Sequence, residues 1–144
     1  MGDPVSAFEN SDIVTAAGAD TVSTSETTAS LTYADLATPG PAVTLTTGAT
    51  VIVIFSAIAQ KAAVNFTALV SVDVSGATTL AANDTNSSAF SSSNSAASTS
   101  YSGMCTRSVY LTGLTPGSNT FTLKYRCDGG TWTFLNRTIL VLSL

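Results

Sequence analysis

Cys105 and Cys127 are the only two cysteines of the chain, and their spacing invites a chemical reading. Two strand-like runs, 105–111 and 121–127, flank a turn built on Pro116 and Gly117. Pro pre-sets φ at the second turn position and Gly accepts a positive φ after it. A hairpin centred on Pro116 sets Leu111 opposite Phe121 and Cys105 opposite Cys127. Opposed residues on neighbouring antiparallel strands have Cβ atoms about 4.5–5.5 Å apart. The pair therefore reads either as a disulfide or as two reduced, buried thiols serving as small apolar residues. A bridge there would close a loop the hairpin already closes, adding modest stability.

Other chemistry is narrowed by what is missing. The chain has no histidine, which excludes a Ser-His-Asp triad, a His general base and a His-ligated metal. Two cysteines alone do not hold a structural zinc. Asp73 and Asp84 could meet as a catalytic or calcium pair, but Asp73 is equally placed to pair with solvent or Lys61. Tyr33, Tyr101, Tyr110, Tyr125 and Trp132 read as a sugar-stacking platform or, more commonly, as core and subunit-interface residues. Arg107, Arg126 and Arg137 fall in the last three strands, either as a partner-facing set or on the exposed side. Asn-X-Ser/Thr triplets at Asn65, Asn83, Asn86 and Asn136 are expected by chance in so hydroxyl-rich a chain, and no glycosylation is assigned. No catalytic residue, cofactor or metal ligand is assigned either. The expectation is a binding or structural module, not an enzyme.

Composition agrees with that expectation. The chain has 144 residues, enough for one domain with a core. Hydrophobic residues make up 44% and charged residues 10%, which places it among folded chains. Five basic against nine acidic residues argue against a phosphate-backbone binder, so no nucleic acid is expected. The longest strongly apolar run, 51–55, is far short of the roughly 20 residues a membrane helix needs, and no membrane or secretory signal is expected. Charge is uneven: Asp3, Glu9, Asp12, Asp20, Glu26 and Asp35 face no Lys or Arg within 1–35. Residues 36–144 hold Asp73, Asp84 and Asp128 against Lys61, Arg107, Lys124, Arg126 and Arg137. An acidic leader on a slightly basic body is the reading. It is either a solvated tail or an arm that docks on a basic surface.

The elements that would position these residues follow from periodicity. Residues 1–30 show no sustained 3.6-residue period and read as an extended arm, with Phe8, Ile13 and Val14 as side chains that could anchor it in a groove. From residue 31 onward short β runs alternate with Gly, Pro and Asn punctuation. Candidate strands are 31–36, 42–46, 51–60, 65–75, 78–82, 105–111, 121–127 and 132–142. Residues 83–100 read as a long Ser/Asn-rich loop anchored by Phe90 alone. About eight strands and no convincing helix predict an all-β antiparallel sandwich, jelly-roll-like, over 31–144, preceded by the arm. Both faces of the second half of the last strand are apolar, so both should be covered.

Four segments carry a resemblance: 32–43 (TYADLATPGPAV), 110–122 (YLTGLTPGSNTFT), 124–126 (KYR) and 136–142 (NRTILVL). Over roughly 31–144 they resemble a β-sandwich module of tailed phages, especially phages of actinobacteria. Such modules are similar to the trimeric jelly rolls of head decoration proteins and tail-fibre tips, and more distantly to tumour-necrosis-factor-type heads. The resemblance implies assembly and no catalysis. It implies a homotrimer whose interface would take the last strand, with Trp132, Phe134, Ile139 and Val141 as candidates. It further implies a capsid decoration protein, made in the host cytoplasm and carried on the outer capsid surface of the virion. Its partner would be the major capsid protein, with Phe8, Ile13 and Val14 as the docking arm. The alternative is a fibre tip or carbohydrate-binding module that recognises a cell-surface glycan. A short arm directly ahead of the sandwich favours decoration.

Overall fold

The structure is a computed structural model, and residues 13–61, 66–92 and 101–144 are described. Nine strands occur among them: β1 (Ala16–Val22), β2 (Glu26–Thr28), β3 (Ala42–Thr47), β4 (Thr50–Lys61), β5 (Phe66–Gly76), β6 (Ser87–Ser92), β7 (Tyr101–Thr112), β8 (Gly117–Cys127) and β9 (Trp132–Ser143). One sheet runs β1-β9-β4-β7, with β2 continuing along β9 beyond β1, and the other runs β3-β8-β5-β6. Every pair is antiparallel. With β2 counted as an extension of β1, this is the strand order of a jelly roll, and the expected all-β sandwich is what the chain forms. No helix among the described residues is long and apolar enough to cross a membrane.

Alternation builds the core. In β4, Val51, Val53, Phe55, Ala57 and Ala59 are buried, while Ile52, Ile54, Ser56 and Ile58 point the other way. Phe121, Leu123 and Tyr125 of β8 and Val70, Val72 and Val74 of β5 meet them from the second sheet. Side chains two apart share a face because the strand period is two, and the buried set fills the space between the sheets.

The period breaks once in β9, and the break matters. Asn136 has φ 48°, and the pairing with β4 shifts between Ser56 and Ile58. A bulge inserts one extra residue and reverses which parity faces inward. Trp132 and Phe134 before it, and Ile139 and Val141 after it, consequently all point into the core of their own chain at 1% exposure or less. They do not form an outer interface, as had been expected. The outward apolar residues of β9 are Leu135, Leu140 and Leu142, each half-buried.

Further expectations change, and one is 78–82, which is not a strand but touches β5 through a bridge between Leu80 and Val74. Residues 16–28, assigned to the arm, form β1 and β2, so the sheet begins well before residue 31. Gly18 lets β1 approach β3: a Cβ there would lie 2.7 Å from Val43 Cγ1. Conversely, 31–36 is not a strand; it crosses the second sheet and touches it through a bridge between Ala34 and Tyr125. Within the long loop, Asp84–Asn86 is a single 3-10 turn and Ser87–Ser92 pairs with β5 as β6. Phe90 of β6 meets the Trp132 ring edge-on at 6.0 Å. Residues 93–100 lie outside the described residues, as does Phe8.

The supposed hairpin is a crossover. β7 pairs with β4 and β8 pairs with β3 and β5, so 113–116 carries the chain from one sheet to the other. Cys105 lies opposite Ala57, Cys127 opposite Ala68, and both are free buried thiols. No disulfide joins them.

Candidate interaction surface

Most of the charged side chains among the described residues are engaged by partners within the fold. Arg137, just past the bulge, is fully buried. Its Nη1 donates to the carbonyls of Thr38 (3.2 Å) and Gly40 (3.3 Å), and its Nη2 pairs with Glu26 Oε2 at 3.1 Å. Glu26 also accepts from the Thr38 hydroxyl at 2.6 Å and backbone N–H at 2.9 Å. These bonds, the Thr38 hydroxyl first, hold its carboxyl below the ordinary carboxylate value. The Arg137 Nε and Trp132 Nε1 atoms have no hydrogen-bond partner among the described residues. Arg107 donates to the Ser87 carbonyl between the sheets.

Among the described residues Lys61 pairs with neither Asp73 nor any other carboxylate. Its Nζ lies 4.0 Å from the Phe66 ring centroid and donates to Gly129 O at 3.3 Å; burial lowers its pKa. Asp73 accepts from Ala82 N–H at 3.4 Å, whereas Asp84 is engaged by Arg126 and Tyr33, so the two are not brought together. Burial pushes the Cys105 thiol up to about 12 and raises Cys127, leaving both thiols protonated and unreactive at neutral pH. Among the described residues no group of three or more possible ligands is placed to hold a metal.

The suggested aromatic platform is dispersed. Trp132 and Tyr125 are fully buried, and the Tyr125 hydroxyl donates to Gly40 O at 3.0 Å. Tyr33 is tied down by Asp84 (2.9 Å) with the Arg126 guanidinium over its ring. Only Tyr110 stands out, at 64% exposure.

What remains is a surface: the outer face of the β1-β9-β4-β7 sheet. Register places its outward residues in rows across the four strands. From the end where both described chain ends lie, the first row is Ala17, Leu142, Ile52 and Tyr110. Ala19, Leu140, Ile54 and Ser108 form the second, and Thr21, Thr138, Ser56 and Thr106 the third. Leu135, Ile58 and Met104 make the fourth, before a polar row of Thr27, Thr133, Gln60 and Ser102 closes the face. None of these residues is charged. Strands ~4.8 Å apart and rows ~6.7 Å apart give the first four rows a footprint of roughly 500 Å², the hydroxyl-bearing third row included.

The face is not flat. Its third row consists of short hydroxyl side chains between longer aliphatic ones, which opens a recess of about 440 Å³. Ser56 and Thr138 share a hydrogen bond of 2.7 Å on its floor, and Ala19, Ile54, Leu140 and Met104 form its walls. Asp20 reaches the rim, but its carboxylate is taken up by the N–H groups of Ala42 (2.9 Å) and Thr21 (2.8 Å).

Of the expected docking residues, Ile13 and Val14 are 45% and 39% exposed, beside Thr15, which bonds Ser143. They lie at the end of the sandwich where the apolar face begins. The residues that build this face escaped site assignment in the sequence, although the two-faced apolar pattern of the last strand signalled that something must cover it. No protein-family model matches the chain, and no curated protein matches it in sequence.

Proposed function

We propose that this chain is a structural protein of a virion, a capsid decoration protein that acts as a homotrimer on the outer surface of a phage head. One observation carries the assembly part: a sheet face without charged outward residues, bearing Ile52, Ile54, Ile58, Leu135, Leu140 and Leu142 and left uncovered by the described residues of its own chain. Leaving such a face in water is unfavourable by about 25 cal/mol for each Å² of apolar surface, so association follows. The head location rests on the resemblance of 32–43, 110–122 and 136–142 to phage modules. The major capsid protein is then the partner of the assembled trimer, reached by the end that carries Ile13 and Val14. Cementing works by mass action: a protein that binds the expanded lattice better than the unexpanded one stabilises it in proportion to occupancy.

Two measurements test this. Light scattering should give three times the chain mass, and purified heads lacking the protein should bind it from solution. A monomer at all concentrations would refute the assembly, and labelling confined to the tail in a virion map would refute the location.

A further inference from the structure

We infer that Tyr110 of one copy seats in the recess of another copy, as the specific contact of the self-association surface. The inference rests on the assembly reading above and goes further by naming knob and hole. Tyr110 stands on β7, an edge strand of the sheet, at 64% exposure. It is the largest outward side chain of the face. Met104, equally exposed, is already a wall of the recess.

The recess has the chemistry a phenol needs. Aliphatic walls at Ile54 and Leu140 pack a ring, and the Met104 thioether adds a sulfur–aromatic contact. The floor supplies hydroxyls: Ser56 and Thr138 use one donor between them in their 2.7 Å bond, leaving a donor and lone pairs for a phenol O–H. A ring with a polar tip is better matched to this mixed site than a purely aliphatic knob. The occupant is a second copy because no outward residue of the face is charged and the one carboxylate at the rim, Asp20, is already taken by two backbone N–H groups: a charged partner would bury groups with nothing to pair them, while a copy brings an equally uncharged surface and one Tyr110 per recess. Knob and hole occupy separate places on the face, so each copy can give one contact and receive one, which is how ring assemblies close.

The full-length protein with p-benzoylphenylalanine in place of Tyr110 tests this directly. Ultraviolet light should produce a covalent dimer on a denaturing gel, with the crosslink in a peptide carrying Met104, 54–56 or 138–140. A second variant separates a specific hole from general stickiness. Ser56→Leu adds apolar surface but fills the recess; it should weaken self-association about tenfold by sedimentation, as should Tyr110→Ala, with Tyr110→Phe losing less. Circular dichroism of each variant checks that the sandwich remains folded. Stronger association by Ser56→Leu would overturn the inference. Crosslinks confined to other surfaces of an oligomer would overturn it too, while leaving the assembly reading in place. A chain that stays monomeric throughout would overturn both.

Discussion

The two sheets of this sandwich bury similar inner faces and dress their outer faces in opposite ways. Outside the β3-β8-β5-β6 sheet, hydroxyls pair across strands, Thr44 with Thr120 at 2.8 Å and Thr67 with Ser91 at 2.9 Å. Lys124 reaches Asp35 at 2.7 Å, and Arg126 clasps Asp84 at 2.6 and 3.1 Å. Both acidic partners come from segments outside the sheet, 31–36 and the turn at 84–86, that are laid across it. That face is finished by its own chain. The outer face of β1-β9-β4-β7 has aliphatic rows, no charged outward residue and, among the described residues, no segment laid over it. A single chain thus shows what a completed surface of this composition looks like, and the other surface departs from it. Under the proposed assembly, the contrast assigns the contact to one face only.

The largest expected effect comes from breaking the contrast outright. Ile54→Lys puts an ammonium in the second row, where burial in an interface would leave it unpaired at a cost of several kcal/mol. Self-association should fall at least about a hundredfold, with little change in Tm, because the side chain points away from the core. Thr46→Lys, exposed on the opposite sheet, should leave association unchanged. Equal losses from both substitutions would mean that the two faces do not differ in function.

A second variant separates stability from assembly. Arg137→Met touches neither outer face but removes the buried cation that ties β9 to Glu26 and to the carbonyls at 38 and 40. Breaking one partner of a buried pair costs about 3 kcal/mol, which corresponds to a Tm lower by roughly 10 °C. At temperatures where the variant is folded, its association constant should match the parent's. If it associates less well while folded, the apolar face depends on this inner anchor more than its outward geometry suggests.

The same contrast shows how far the sequence could be read. Sequence patterning located β3, β4, β5 and β8; burial alternates cleanly in β4 and β8, whereas β5 is buried on both faces from Ala68 to Val72. It failed at β9, where one residue at Asn136 reverses the parity and sends Trp132, Phe134, Ile139 and Val141 inward together. It failed also at β1, whose Ala16–Val22 run has weak β preference and is held by pairing with residues more than 110 positions away. The stretch around Pro116 is compatible with either a hairpin or a crossover, and the second sheet decides between them by pairing Cys127 with Ala68. The apolar face was legible as a surplus of hydrophobic positions in β4 and β9. Its recess was not, since the short residues that make it, Thr21, Ser56, Thr106 and Thr138, lie on four strands and meet only through register.

The smallest expected effect is a difference in pH response between the faces. Arg126 and Tyr33 hold the Asp84 carboxyl below its ordinary value through their hydrogen bonds. A carboxyl lowered in the folded state contributes stability above its unfolded pKa, about 4, and loses that contribution as pH falls through the folded value. Asp84 is largely exposed, its side chain at 62%, so after screening the contribution is at most about half a kcal/mol. Tm should therefore decline a little more steeply below pH 4 in the parent than in Asp84→Asn, and 1 M salt should shrink that difference. The apolar face has no carboxylate, amine or guanidinium among its outward residues. Its self-association should stay constant between pH 5 and 8 and should not weaken in high salt. Salt-weakened association measured by sedimentation would place the contact on the charged face instead, and the assignment of assembly to the other sheet would fall.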